Sequence, residues 1–535
     1  MTKKRILSLA LAGAMLMGVL VSCTPAQPTA DPGPPVAPGP GPAPGPGPGV
    51  QPPPPPPEDG LGRGVTVAIA IEPPNIVPAR HTQLVAGFKN ALTHNGLFMA
   101  CHTDLSPLPD LVTGWRALSD TLFEFDLVQG VRFHNGDELT AYDVIATMEY
   151  VRTFPYARHM HLSVVDWEVV DRYTFRLDTG EPNAQLFFDL TGHANFIFPH
   201  SLIESGHDFT VEPIGTGPFV FEEWRTGDHI HFTAFPDYFD TERAPRIEYV
   251  HWRIIPEGSS RTIALETGEI DYVVEVPFPD IARLEANPDI TVFMTPGTMM
   301  QMFALNNARE PFNNIYVRRA IDMALDREAM LIASLDGFGF ATYATMQPIF
   351  AGASNEGTRQ FDPEGARAIL AEQGFAPGDI EFEVLFFAED QRRRGEVVQS
   401  NLADIGINIT LSMMEQAAWL PHTTQDIFDA TFQNQTQPNL MAHMRAVMHS
   451  DSIGGANRSR MSNPELDALI DLAIATIDED ERLAILLEAS RVANEHVGFI
   501  GTNSSMTIRA FNANLIVPEI GPGGAMHFNM VYWLD

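Results

Sequence analysis

Three consecutive arginines, Arg392, Arg393 and Arg394, are the residues of this sequence best suited to binding chemistry. The 535-residue chain has 33 Lys and Arg residues against 68 Asp and Glu residues, so three adjacent cations are unusual in it. A guanidinium can hold a carboxylate through two parallel hydrogen bonds. The run therefore predicts either a carboxylate-binding site or a solvated helix face.

Trp419 and the polar segment 434–437 form a second set of candidates. Trp419 is either a core aromatic or a ring against which a ligand stacks. The segment 434–437 has the sequence Asn-Gln-Thr-Gln, so Asn434 and Gln437 offer amide donors and acceptors to a polar ligand.

The elements around these candidates predict a parallel sheet. The pattern indicates strands at 381–387, 406–412 and 427–433, with helices at 391–404 and 415–424. This β-α-β-α-β order with short connections is typical of a doubly wound α/β sheet. Because ligands of such sheets bind outside the carboxyl ends of the strands, we expect the arginine run and segment 434–437 to face one crevice.

Other elements are predicted from caps, turns and apolar spacing. They are strands at 65–71 and 122–127, a helix at 141–153 capped by Thr140 with Asp143 in its first turn, a hairpin of 219–224 with 229–235, and a helix opened by Asn463-Pro464 with a core-facing stripe of Leu466, Leu469, Ile470, Ala473 and Ile474.

Motifs for enzymatic chemistry are missing from the sequence. It contains no Gly-x-Ser-x-Gly elbow, no His-Glu-x-x-His helix and no Gly-x-Gly-x-x-Gly loop. Its lysines are Lys3, Lys4 and Lys89, and none follows the glycine of a Gly-Lys-Ser/Thr motif, which excludes a phosphate-cradling loop of that type. We therefore predict no enzyme and no cofactor.

Two histidine pairs have a spacing that can bind a transition metal. His159 and His161, and likewise His229 and His231, stand two residues apart and so share a face of a strand. No cysteine supports either pair, so we interpret them as surface histidines and predict no metal site.

The charge and cysteine content exclude further classes of function. A net charge of −35 argues against binding nucleic acid and against docking on an anionic membrane surface. Two cysteines, Cys23 and Cys101, are too few for a disulfide framework, and we interpret Cys101 as a packed or idle thiol.

The first 60 residues predict export and tethering. Residues 1–23 combine a basic start, an apolar run and a final cysteine, as in a secretory signal. Residues 20–23 resemble a bacterial lipobox, in which Cys23 carries the lipid; the alternative is an uncleaved membrane anchor. Residues 24–60 are rich in Pro and Gly and predict a disordered, extended tether that reaches on the order of 100 Å. Both alternatives place the protein outside the cytoplasm, held to the bacterial cell membrane.

Several longer motifs carry a family resemblance. In chain order they include GVRFHNGDELTAYDV at 130–144, PIGTGPF at 213–219, VRRA at 317–320, LADIGI at 402–407 and NPELD at 463–467. They resemble the solute-binding proteins of ABC importers, extracellular family 5, which includes dipeptide, oligopeptide and nickel binders. The resemblance covers residues 64–515.

The resemblance implies a two-lobed α/β fold of the periplasmic-binding-protein type, with an extra subdomain and a central cleft. Its domains would be lobe one at 61–98, 211–300 and 505–535, the extra subdomain at 99–210, and lobe two at 301–504. It also implies a monomer that binds solute without turnover and delivers it to a permease powered by ATPase subunits.

The resemblance further implies roles for the candidate residues. In dipeptide binders an arginine grips the cargo carboxylate, and that position falls on Arg392 and Arg393, with Arg393 the first choice. The acid that holds the α-amine is replaced here by Gln437. Either Asp429 or Asp451 substitutes for it, or the cargo has no free α-amine there.

Two alternatives to a peptide receptor remain. The same fold binding a metal chelate, opine or sugar is favoured by the missing acid at Gln437. A sensory or adhesive lipoprotein without a permease is the other.

Overall fold

The computed structural model describes residues 63–73, 75–78, 91–103, 105–154, 163–192, 195–518, 520–522, 524 and 526–534. The predicted signal peptide, Cys23 and the tether lie outside the described residues, as do His159 and His161. Those features stay predictions.

The strands, in chain order, are β1 (Val65–Ile69), β2 (Phe98–Ala100), β3 (Pro107–Pro109), β4 (Val112–Ala117), β5 (Leu122–Leu127), β6 (Asp166–Val169), β7 (Thr174–Asp178), β8 (Phe219–Arg225), β9 (His229–Ala234), β10 (Tyr249–Ile254), β11 (Tyr272–Val273), β12 (Ile290–Leu305), β13 (Gly339–Ala341), β14 (Ile380–Phe386), β15 (Ile407–Met413), β16 (Ala430–Thr436), β17 (Phe499–Asn512), β18 (Leu515–Ile516) and β19 (Tyr532–Trp533).

The helices are α1 (Ala141–Arg152), α2 (Gln185–Asp189), α3 (His200–Ser205), α4 (Gly258–Glu266), α5 (Ile281–Glu285), α6 (Ile315–Ala324), α7 (Arg327–Leu335), α8 (Pro363–Glu372), α9 (Glu389–Asp404), α10 (Gln416–Thr423), α11 (Leu440–Val447), α12 (Pro464–Ala475) and α13 (Glu479–His496).

One 11-stranded sheet runs through most of the molecule, in the order β15-β14-β16-β12-β17-β11-β1-β10-β9-β8, with β13 also paired to β17. β12 and β17 have 16 and 14 residues and pair with each other in antiparallel fashion. The second half of β12 also pairs with β16, whereas the end of β17 pairs with β11. These two strands therefore cross from one group of strands to the other.

Each group of strands has its own apolar core, so the molecule has two lobes. Lobe one, around β1 and β8–β11, packs clusters that include Trp252 on one face and Leu265 on the other. Lobe two, around β14–β16, packs one cluster that includes Phe432 and another that includes Met444. Burial on both faces of a sheet is typical of doubly wound α/β folds.

A smaller body, which we call the subdomain, consists of β2–β7 and α1–α3. Its main sheet is antiparallel, in the order β4-β5-β7-β6. Aromatic rings fill its core, where Phe125 stacks on Phe175 with centroids 5.2 Å apart. An ion pair between Arg243 Nη2 and Asp110 Oδ1, 2.8 Å long, ties the subdomain to the chain that follows β9.

The predicted β-α-β-α-β unit is confirmed. β14 pairs in parallel with β15 on one side and with β16 on the other, and α9 and α10 connect them in the predicted order. The β8–β9 hairpin and strand 122–127 are also confirmed. On α12 the predicted stripe is buried or packed against the core of lobe two.

Several predicted boundaries were wrong, among them both ends of the strand predicted at 427–433, which forms as Ala430–Thr436 and so contains Asn434. The strand predicted at 427–433 begins at Ala430, because the Asn306 amide binds Asp426 and the Phe428 carbonyl at 2.7 and 2.9 Å and holds them in a turn. The strand predicted at 65–71 ends at Ile69, because the Ala70 N–H donates to a Glu275 carboxylate oxygen at 3.1 Å.

The predicted helix 141–153 forms as α1, one residue shorter, and is fixed at its start by Asp143. The buried Asp143 carboxylate accepts from the Thr140 N–H and hydroxyl, each at 2.7 Å, and from the His200 N–H at 2.8 Å. Asp143→Ala should therefore lower the free energy of unfolding by about 2–4 kcal/mol, since it removes the cap and leaves buried donors unpaired.

Urea unfolding of the variant beside Glu149→Ala, an exposed site on the same helix, measures the effect. Equal stability of the two variants would contradict this account of Asp143.

Candidate binding site

The carboxyl ends of β14 and β16 form the crevice edge that the sequence predicts. β14 ends at Phe386 and α9 begins at Glu389, while β16 ends at Thr436 and α11 begins at Leu440. Helix N-termini at this edge favour anionic groups. β12 borders the same edge, with Gln301 directly opposite Asn434 on β16.

Arg392 lies on a solvated face of α9. Its Nη2 is 2.5 Å from Glu389 Oε1, and its Nη1 binds Glu396. The side chain is 40% exposed, and pairs at this spacing on a helix surface are typical of solvent-facing residues. The structure thus favours the solvated-face interpretation for Arg392.

Arg393 reaches toward the end of α7. Its Nη2 donates to the Ser334 carbonyl at 3.4 Å, and its Nη1 is 3.9 Å from Asp336 Oδ1. Its Nε is buried and has no hydrogen-bond partner in the part of the chain that the structure describes. Arg393 is therefore partly engaged and keeps one donor for a ligand.

Arg394 is the buried member of the run. Its side chain is fully covered, and its Nη1 donates to Gln301 Oε1. Its guanidinium carbon lies 4.8 Å from the centroid of the Phe432 ring. Burial lowers the pKa of Arg394 to about 10, against the opposing effect of Asp390, so it is still a cation at neutral pH.

Two donors of this cation, Nε and Nη2, have no hydrogen-bond partner among the described residues. Asp390 is linked to Arg394 indirectly, because the Gln301 amide nitrogen donates to Asp390 Oδ2 at 3.3 Å. We call Gln301, Asp390, Arg394 and Asn434 the Arg394 cluster. A buried cation with free donors is the feature of this site best able to bind a carboxylate.

The sequence contained a signal for Arg394 that the choice of Arg393 missed. Gln391, Arg394, Val398 and Leu402 are buried on α9 at helical spacing. An arginine in register with Val398 and Leu402 faces the sheet, whereas its neighbours are rotated away from it.

Asn434 and Gln437 lie at the predicted edge. Asn434 Oδ1 is buried without a partner among the described residues. Gln437 is half-buried, and its nearest polar contact is a long one, 3.5 Å from its Nε2 to Gln435 Oε1. The position at which the family resemblance implies an amine-binding acid is therefore occupied by a neutral amide.

Neither acid expected to replace Gln437 lies near it. Asp429 precedes the first residue of β16, at the opposite end of that strand, and lies 3.5 Å from Arg309 Nε. The seven residues of β16 lie between Asp429 and Gln437 and separate them by roughly 25 Å. Asp451 follows α11 and pairs with Arg445 at 3.1 Å, where its side chain is 69% exposed. The contacts of Asp429 and Asp451 therefore do not support either substitution, which stays a prediction.

Trp419 is a core aromatic in this structure. It is 5% exposed, its Nε1 donates to Thr431 Oγ1 at 2.8 Å, and its ring packs against Phe387 with centroids 4.7 Å apart. The guanidinium carbon of Arg458 lies 4.6 Å from the centroid of the same ring. These contacts favour the interpretation of Trp419 as a core aromatic over that of a ring on which a ligand stacks.

Arg458 is a further buried cation, and it contacts β16. Its Nε donates to Thr423 Oγ1 at 3.0 Å and its Nη1 to Gln433 Oε1 at 3.1 Å. Burial lowers its pKa to about 10. It comes from an irregular loop between α11 and α12, where neither periodicity nor a motif marks a functional residue.

The remaining histidine candidates that the structure describes form no further site. His229 contacts Asp228 and Glu223, while His231 Nδ1 is 3.1 Å from His251 Nδ1 on the next strand. Within the described residues, no group of three or more His, Cys, Asp or Glu side chains is arranged to hold a metal ion. None of the helices described has both the length and the apolar character needed to cross a membrane.

Comparison with known protein families identifies the class of binding protein to which the chain belongs. The model of "Bacterial extracellular solute-binding proteins, family 5 Middle" matches residues 106–452. The chain belongs to this family. The resemblance of its motifs is thereby confirmed.

Relatives of this family-5 protein are binding proteins rather than enzymes. Heme-binding protein A of Haemophilus influenzae is 26% identical over 74% of this chain and 78% of its own. Di/tripeptide-binding protein 2 of Pseudomonas aeruginosa is 26% identical over 86% of this chain and 93% of its own. The solved structure of HbpA2 from Haemophilus parasuis matches with a TM-score of 0.82 at 24% identity, over 88% of this chain and 100% of that chain, and confirms the two-lobed fold.

The burial of Arg394 in this family-5 protein predicts how its removal affects stability. Arg394→Met keeps the unbranched stem but removes a desolvated cation whose hydrogen bonds are incomplete. The free energy of unfolding should change by no more than about 1 kcal/mol, in either direction.

Arg327→Met is the matched control. Arg327 is equally buried, but it binds Asp322 and the carbonyls of Thr342 and Gly501 at 3.1 and 3.0 Å. Its loss leaves a buried carboxylate, so we expect a cost of about 3–5 kcal/mol. Urea unfolding compares the two, and a cost for Arg394→Met as large as that for Arg327→Met would make Arg394 a structural residue.

Proposed function

We propose that the protein is the lipid-anchored, extracytoplasmic receptor of an ABC importer and binds a peptide-like solute with a free carboxylate between its lobes. The observation that carries the proposal is Arg394, a buried cation near the carboxyl edge of the sheet, two of whose donors have no partner among the described residues. A carboxylate that accepts from Nε and Nη2 would complete its hydrogen bonds in the bidentate geometry that suits arginine.

The environment of Arg394 suits recognition in a closed cleft. Phe432 covers one side of the guanidinium and Gln301 orients it, so little side-chain entropy is lost when a ligand binds. Arg393 Nε and Asn434 Oδ1, both buried and unpaired among the described residues, supply a further donor and an acceptor. Closure of the lobes would exclude water and strengthen each of these contacts.

The names of the relatives fit a carboxylate-bearing cargo. One relative is named for binding heme and another for binding di- and tripeptides. Heme and unmodified peptides share little except carboxylate groups beside apolar ones. A buried arginine is a common means to hold either class.

The proposed domain arrangement follows the two cores and the crossing strands. Lobe one comprises 61–98, 211–300 and 505–535, the subdomain 99–210, and lobe two 301–504. Support comes from the interrupted β12–β17 register between Pro296 and Met300, close to the boundary at 300. Cys23 would carry the lipid, and a permease with its ATPase subunits would receive the solute.

A non-peptide solute is the second candidate, and Gln437 is the observation that favours it. A neutral amide cannot balance an ammonium group in a desolvated cleft. An opine or another carboxylate without a free α-amine at this position would avoid that cost.

Isothermal titration of the full-length protein with trialanine, its C-terminal amide and its N-acetyl derivative tests the proposal. We expect amidation to weaken binding by about 1.5–3 kcal/mol, because it removes the charge that Arg394 pairs with. Acetylation should cost less, because Gln437 offers the amine no charge. Arg394→Met should lose the same 1.5–3 kcal/mol for trialanine and become insensitive to amidation.

Arg392→Met is the control, since its side chain is paired on the surface, and it should bind as the wild type does. Mass spectrometry of solute retained on the purified protein identifies the natural cargo independently. Wild-type protein that binds none of the three peptides and retains a solute without a carboxylate would contradict the proposed function.

A further inference from the structure

The start of α2 is a place where the subdomain contacts lobe two. The Ala184 N–H donates to the carbonyl of Ile474 on α12 at 2.7 Å. Ala184 is 3% exposed and belongs to an apolar core cluster of lobe two, against which Phe188 also packs. Ile477 of lobe two packs in return against the core of the subdomain. We call Ala184, Phe188, Ile474 and Ile477 the α2 contact.

The subdomain is held to lobe one by polar contacts. The His134 N–H donates to the Gly215 carbonyl of lobe one at 2.9 Å. The buried Asp110 carboxylate accepts from the buried Asn95 Nδ2 at 2.9 Å and pairs with Arg243 at 2.8 Å. Separation of the two bodies would leave these buried groups unpaired, which is costly. The subdomain and lobe one therefore behave as one body.

Lobe two is joined to this body by the crossing strands. Their register is broken between Pro296 and Met300, where a ladder bends most easily. Because the subdomain follows lobe one, a change of the angle between the lobes also moves α2 relative to α12. Closure of the lobes, which the proposed function requires, therefore acts on the α2 contact.

The α2 contact is incompletely packed, unlike a domain core. A cavity of about 360 Å³ lies beside it, lined by Trp115 of the subdomain and Arg482 of lobe two, and Trp115 is 42% exposed. The lobe-two side is preformed, because Arg482 Nη1 donates to the carbonyls of Thr476 and Ile477 at 3.1 and 2.8 Å and fixes their turn. Such interfaces within a chain resemble those of transient complexes, which form and separate reversibly.

We propose that the α2 contact is a conformational latch, which forms when the lobes close and helps to set the closed fraction of the protein before solute binds. The inference rests on the proposed function, because it assumes that the lobes close on the solute. The latch strengthens the binding of every solute by the same factor, since it acts on the closed population and does not touch the solute. The effect of Arg394, in contrast, depends on the carboxylate of the solute.

Hydrogen–deuterium exchange of the full-length protein without solute tests the latch directly. The Ala184 amide bonds across to lobe two, and the His134 amide bonds across to lobe one. The Ala184 amide should exchange on the order of 100-fold faster, because it opens with the lobes, whereas the His134 amide opens only when the subdomain unfolds or detaches. Saturation with trialanine should slow exchange at Ala184 by about tenfold or more and leave His134 unchanged.

Ile477→Ser weakens the latch from the lobe-two side. Leu472→Ser is the matched control, because Leu472 lies on α12 and is 51% exposed. Ile477→Ser should speed exchange at Ala184 and weaken trialanine and its C-terminal amide by the same factor, about three- to tenfold in isothermal titration. Leu472→Ser should change neither the exchange nor the affinities.

Ala184→Asp weakens the latch from the subdomain side. The new carboxylate is solvated while the contact is open and loses its water when the contact forms, so the closed form is disfavoured. Aspartate is well tolerated at the N-terminus of a helix such as α2. The variant should therefore fold, and it should weaken both peptides equally and more strongly than Ile477→Ser does.

Two results would overturn the latch and leave the proposed function standing. One is an Ala184 amide that exchanges as slowly as that of His134. The other is binding of both peptides by Ile477→Ser and Ala184→Asp as tightly as by the wild type. Wild type that binds neither peptide would instead overturn the proposed function. Exchange at Ala184 that Ile477→Ser speeds and Leu472→Ser does not would still support the latch in that case.

Discussion

The antiparallel pair of β12 and β17 is the constraint on which the rest of the molecule depends. The pair carries a single hydrogen-bonded sheet through both lobes. Its register is broken between Pro296 and Met300 and again at Gln301, so the ladder is weakest where the lobes meet. The second break leaves Thr502 unpaired in the ladder, and its hydroxyl donates to the Gln301 carbonyl at 2.9 Å. The same irregularity thus holds Gln301, the residue that orients Arg394.

In the proposed function, buried positive charge makes the crevice selective for a carboxylate. The chain carries a net charge of −35, yet Arg394 and Arg458 are both buried beside β16 and bind no carboxylate directly among the described residues. Desolvation of these cations costs free energy that the fold must supply, and an anionic ligand recovers part of it. The acidic surface repels anions at long range, so selectivity for a carboxylate has to come from contact geometry in the crevice rather than from steering.

Local patterns in the sequence predict much of the lobe-two sheet, because β14, α9, β15, α10 and β16 follow one another with short connections. The crossing strands are harder to predict, since they bring together residues such as Gln301 and Thr502, which form a hydrogen bond although they lie 201 positions apart. The burial of Arg394 could be predicted from the sequence, because its spacing to Val398 and Leu402 marks the buried face of α9. The burial of Arg458 could not be predicted, because this residue comes from an irregular loop and is positioned by tertiary contacts with Thr423 and Gln433.

The central claim is that a carboxylate of the solute completes the hydrogen bonds of Arg394 between two closed lobes. The solute is then released chemically unaltered. A crystal structure of the protein with the solute that it retains on purification tests this claim most directly. The account predicts an intact solute whose carboxylate oxygens lie within about 3 Å of Arg394 Nε and Nη2. A solute bound elsewhere, or a cleaved product in the crevice, would contradict it.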